Sequence, residues 1–157
     1  MTTLTRHPGR RRAARADGRT FKRLLLGFWA MYFSLVALTN AVDLLDALSA
    51  LHSRFLDSTN YEFMRSIVKV YHLGPGPTKL LLAGALALEL AGAALFWHAL
   101  LARGSALLAL CWSAFVWLAF TFMTELFLAY TAESTFRELL MLTIGTALVV
   151  TLLPDDA

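Results

Sequence analysis

LLLAGALALELAGAALFWHALL, residues 80–101, runs for more than five helical turns with one formally charged side chain, Glu89. A helix crosses a bilayer in about 20 consecutive apolar residues. The stretch therefore reads as a membrane span with an acid inside it. Three further stretches qualify on the same ground, residues 24–45, 105–128 and 136–153. The predicted fold is an all-α polytopic membrane protein, a four-transmembrane-helix bundle over residues 24–153. Residues 1–23 form a basic tail, read as disordered and cytoplasmic, and residues 154–157 a short end.

Composition agrees. The chain of 157 residues is 58% hydrophobic and 16% charged, against about 25% charged in a soluble domain. The net charge of +3 is a property of the tail, where Arg6, Arg10, Arg11, Arg12, Arg15 and Arg19 cluster. No basic folded face is implied, so nucleic acid is not expected as a partner. The expected partners are the bilayer itself, anionic lipid at the tail, and a larger membrane complex or a homo-oligomer.

A cleaved signal peptide is the competing reading of residues 1–45. Its apolar run exceeds the 7–15 residues of a signal core, no small-x-small site follows it, and Arg10–Arg12 stand too far upstream for a twin-arginine signal. The helix is read as permanent. Four spans put both termini on one side. Arg103 and the tail (Arg6, Arg10, Arg11, Arg12, Arg15, Arg19, Lys22 and Arg23) carry nine basic residues on that side. Arg54, Arg65, Lys69, Lys79 and Arg137 put five on the other. The excess of Lys and Arg faces the cytoplasm, and the location is the cell (inner) membrane with both termini inside.

The connection over residues 46–79 is far longer than the others, and long loops are commonly functional. Thr59-Asn60-Tyr61-Glu62 matches a capping box. Phe63, Ile67, Val70 and Tyr71 follow at helical spacing, with Glu62, Arg65, Ser66 and Lys69 on the other face. Gly74-Pro75-Gly76-Pro77 reads as the stop. A short amphipathic helix is predicted on the outer surface or capping the bundle.

The polar residues gather at that outer end. Asn40, Asp43 and Asp46 lie late in the first span, with Thr39, Asp43 and Asp46 on one face. Glu89 lies near mid-depth, between the small residues Ala85, Gly92 and Ala93. Ser113, Trp117, Thr121 and Glu125 form an i, i+4 seam on the third span, beside Thr124. Glu133 and Arg137 pair favourably at the start of the fourth, followed by Glu138. Acids within spans are paired, protonated or turned toward water. Asn40, Asp43, Glu89, Thr121 and Glu125 make the candidate intramembrane site. Asp46, Asn60, Glu133, Arg137 and Glu138 are its candidate loop and rim.

Other chemistry is sparse. No metal site, cofactor or catalytic residue is predicted: His98 stands alone near a helix end, and His52 and His72 join the acids only if the loop folds over them. Two-histidine haem ligation, a phosphate loop, a G-x-S-x-G elbow and an H-E-x-x-H motif are all missing from the sequence. Cys111, the single cysteine, reads as a small buried hydrophobe, and no intrachain disulfide can form. Trp97 suits an interfacial belt.

Asn40-Ala-Val-Asp43, Thr59-Asn60-Tyr61-Glu62-Phe63, Leu88-Glu89-Leu90 and Thr124-Glu125-Leu126-Phe127 together resemble motifs of a family of uncharacterised bacterial small integral membrane proteins with four spans. The family has a Trp where this chain has Leu88. The resemblance, over about residues 24–153, implies a fold and a location and joins Asn40, Asp43, Asn60, Glu89 and Glu125 in one constellation. It implies no activity. Three functions stay open. The first is an accessory or interaction subunit of a membrane complex. The second is a transport or binding module with a proton- or cation-responsive acidic site. The third, placed last, is an enzyme acting on lipid or quinone through paired carboxylates.

Overall fold

The computed structural model describes residues 8–50, 58–102 and 104–153, with side chains from residue 18 onward. Among these the chain is helical: α1 (Pro8–Ala47), α2 (Asn60–Val68) with a 3₁₀ turn at Lys69–Tyr71, α3 (Pro75–Leu101), α4 (Ala106–Leu126) and α5 (Tyr130–Leu152). Four segments, Gly18–Ala47, Pro75–Leu101, Ala106–Leu126 and Tyr130–Leu152, are long and apolar enough to cross a membrane, the signature of a multi-pass membrane protein.

Each helix shows why it packs where it does. On α1 the buried positions Leu26, Trp29, Ala30, Phe33, Ala37, Asn40 and Asp43 recur at the three- and four-residue spacing of one face. On α3 the same spacing selects Thr78, Leu82, Ala85, Glu89, Gly92, Ala93 and Phe96. These two faces pack together most extensively, α4 packs on α5, and α3–α4 and α1–α5 contacts close the ring. Gly92 is the close approach: a Cβ there would lie 2.7 Å from Cδ1 of Phe33.

The core is aromatic. Phe33 stacks between Phe96 (5.6 Å between centroids) and Trp117 (5.3 Å), and Trp117 stacks on Phe136 at 6.4 Å. All four long helices thus meet in one cluster. Each tryptophan indole N–H finds an acceptor, as buried rings require. Trp29 donates to Thr146 Oγ1 (3.1 Å), Trp97 to Ser34 Oγ (3.0 Å), Trp112 to the Leu88 carbonyl (3.0 Å) and Trp117 to Ser113 Oγ (2.9 Å). The Trp97 bond ties α3 to α1. Thr143 gives its one hydroxyl proton to the Leu139 carbonyl. Ser113 therefore donates to Thr143 across 3.0 Å and joins α4 to α5.

Several expectations are corrected. Residues 8–23, expected to be disordered, continue α1. Alanine and arginine are strong helix formers, and the segment extends a helix already nucleated by the span. The flanking expectations for residues 1–7 and 154–157 lie outside the described residues, as do His52 and Arg54. Gly74-Pro75-Gly76-Pro77 is a start as well as a stop: Pro75 opens α3, five residues ahead of the expected boundary. The first-turn N–H groups have no intrahelical acceptor, so proline costs nothing there. Cys111 is exposed rather than buried. It lies four residues after Leu107 and four before Phe115, on the exposed apolar stripe of α4.

Candidate functional site

The Thr59–Glu62 capping box does not form. Thr59 is left-handed (φ 58°, ψ 18°) and its side chain makes no cap hydrogen bond, whereas a capping residue holds an extended conformation. The cap comes from α1. One carboxylate oxygen of Asp43 accepts the backbone N–H of Asn60 (2.5 Å) and of Tyr61 (3.2 Å), and the Ser58 hydroxyl at 2.9 Å. The other oxygen accepts the Ser58 N–H at 3.3 Å. A carboxylate at this end also meets the positive pole of the helix.

One turn earlier on the same face, Asn40 makes a second link. Asn60 donates its amide to Asn40 Oδ1 at 2.7 Å, and Asn40 Nδ2 donates to both oxygens of Glu89, at 2.9 and 2.7 Å. Three helices are joined through three side chains. Asn40 is 5% exposed, Asp43 7% and Glu89 2%. Among the described residues Asn40 is the one hydrogen-bond partner of the Glu89 carboxylate, and no Lys or Arg pairs with it.

The other end of the α2 segment is fastened to α4. Tyr71 Oη donates to the Leu126 carbonyl at 2.5 Å, and its ring meets Phe127 edge-on at 5.5 Å. Strapped at both ends, α2 roofs a cavity of about 600 Å³ with Phe63, Met64 and Ile67. That is the size of a small-molecule site. Leu81 and Leu88 of α3 and Phe120 and Met123 of α4 form apolar walls, and Asn40, Asn60, Glu89 and Thr124 are the polar lining. Among the described residues no lysine or arginine lines it. Leu80 and Gly84, both exposed, stand at its rim.

The candidate residues divide. Asn40, Asp43, Asn60 and Glu89 come together. Thr121 does not join them: its hydroxyl turns back to the Trp117 carbonyl at 2.8 Å. Glu125 is exposed and outside the cavity, and its neighbour Thr124 lines the wall instead. Asp46 is exposed. Arg137 pairs with Glu133 at 3.2 Å, at a distance in sequence of one helical turn, and Glu138 faces away, exposed. Among the described residues no three His, Cys, Asp or Glu side chains cluster as a metal site. Sequence reasoning left Ser58 and Thr124 out of the site, and of its two placements for the loop helix, on the surface or capping the bundle, α2 takes the second.

The chain matches no family profile, no curated protein and no solved structure.

Proposed function

We propose that this is a multi-pass protein of the bacterial inner membrane, with both termini cytoplasmic, that binds an amphipathic molecule beneath α2 through Glu89, Asn40 and Asn60. Four spanning-length helices and the nine-to-five excess of basic residues on the terminal side support the placement. In it α2 lies at the outer surface, the cavity occupies the outer half of the bundle, and the basic segment meets anionic lipid inside. The likeness of Asn40-Ala-Val-Asp43 to the bacterial small membrane proteins supports the bacterial assignment.

The observation that carries the reading is Glu89. A carboxylate inside a helical bundle is paired, protonated or solvated. Here its partner is a neutral amide, and it stands in the wall of a largely apolar cavity. A molecule with an apolar body and a polar end fits both parts of such a space. The acid–base enzyme reading loses its second carboxylate, because both oxygens of Asp43 already accept from the start of α2.

One observation favours a second reading. Asn40 and Glu89 tie α1 to α3, as polar groups between membrane helices do when they only fix packing. An accessory subunit of a larger complex, or a homo-oligomer, would need no more. Glu89→Gln separates the two, since glutamine keeps hydrogen-bonding capacity and loses the charge. The binding module is expected to lose its bound molecule with the fold intact. An accessory subunit would keep its partner and its phenotype.

A further inference from the structure

We infer that the occupant of the cavity is a lipophilic cation: a protonated amine carried on an apolar body and dissolved in the membrane. The inference rests on the binding reading above and specifies its ligand class.

The polarity of the hydrogen bonds favours a donor. Asn60 donates to Asn40, and Asn40 donates to Glu89, so the relay ends on an acceptor. A single amide nitrogen, Nδ2 of Asn40, reaches both oxygens of the carboxylate, which has about four lone-pair sites. Thr124 has given its hydroxyl proton to the Thr121 carbonyl, so it too offers lone pairs. The polar wall thus asks for a ligand that donates.

Charge favours a cation. Among the described residues Glu89 has no cationic partner and no basic side chain lines the cavity. A buried carboxylate is expensive unless a counter-charge meets it. An ammonium group supplies both the charge and the donors. A phosphate or carboxylate head would meet Glu89 with no basic residue among the described lining to offset the repulsion.

The remaining wall fits the same ligand. Phe63, Phe120, Phe127 and Phe136 line the cavity. Aromatic faces attract cations and accommodate apolar bodies. The exposed rim residues Leu80 and Gly84 belong to the spanning helix α3, so the open side meets the bilayer in the proposed placement. A ligand already dissolved in lipid reaches it without crossing water.

The test uses the full chain in maltoside micelles, titrated calorimetrically at pH 7 with dodecylamine, dodecanol and dodecanoate against micelle blanks. Dodecylamine is expected to bind at one site per chain, at least about tenfold more tightly than the alcohol. Dodecanoate is expected not to bind. Glu89→Gln should abolish the preference for the amine over the alcohol. The comparison of the three ligands on the wild-type chain needs no variant, so it holds even if Glu89→Gln fails to fold. Equal binding of amine and alcohol, or tighter binding of dodecanoate, overturns the cation class and leaves the amphiphile reading standing. Saturable binding by none of the three overturns both.

Discussion

Asp43 of α1 caps α2 from seventeen residues away, accepting the Asn60 N–H at 2.5 Å. The roof of the cavity is therefore fastened by a side chain on another helix and not by its own sequence. Removing an N-cap acceptor costs about 1–2 kcal/mol, a factor of roughly 5–30 in the local equilibrium. Asp43→Ala is expected to speed hydrogen exchange of residues 60–64 by that factor, while Thr59→Ala leaves it unchanged. If Thr59→Ala matched Asp43→Ala, the cap would belong to Thr59 after all.

Asn40 spends its amide on Glu89 and its carbonyl on Asn60. Deleting one partner strands a buried polar group, whereas replacing both by apolar groups is close to neutral. Asn40→Leu is expected to cost about 1–3 kcal/mol in reversible unfolding from mixed micelles. The double variant Asn40→Leu with Glu89→Leu should recover most of that loss. Strict additivity of the two single losses would break the proposed link.

Gly92 and Gly84 lie eight residues apart on α3 and should respond in opposite ways. A Cβ at Gly92 meets the Phe33 ring at 2.7 Å, while one at Gly84 meets nothing within 4 Å. Gly92→Ala should destabilise by about 1–3 kcal/mol through overpacking. Gly84→Ala should be neutral or stabilising, because alanine is the better helix former. Thermal unfolding of the two variants in one detergent makes the comparison.

The proposed orientation is checked by single cysteines in a Cys111→Ala background. Leu73, exposed in the turn before α3, and Ser105, exposed at the start of α4, lie at opposite ends of the bundle. With the termini cytoplasmic, Leu73→Cys is expected to react with an impermeant maleimide on intact cells. Ser105→Cys should react only after lysis. The reverse pattern would turn the protein over.

The four long helices were legible because span length and apolar content are properties of composition, which residues 80–101 display without any tertiary information. So was the Glu133–Arg137 pair, a local i, i+4 contact. What escaped depended on direction or on distant partners. Thr124 and Glu125 are adjacent in sequence but about 100° apart around a helix, which puts one in the cavity wall and the other outside. Thr59 fits a capping pattern in letters, but its backbone is left-handed, which no short motif encodes. The partner that replaced it, Asp43, was singled out as an acid inside a span, yet nothing in its neighbours named the helix it would hold. The arginine-rich start was read by charge alone, though its alanines and arginines favour the helix observed there.

The central claim is that the space beneath α2 holds a molecule through Glu89. Native mass spectrometry of the wild-type chain, released gently from its own membrane, tests it most directly. The account predicts one reproducible small-molecule adduct per chain, absent from Glu89→Gln prepared in parallel. A wild-type chain that arrives bare, or that carries only a partner protein at fixed stoichiometry in both forms, would contradict it.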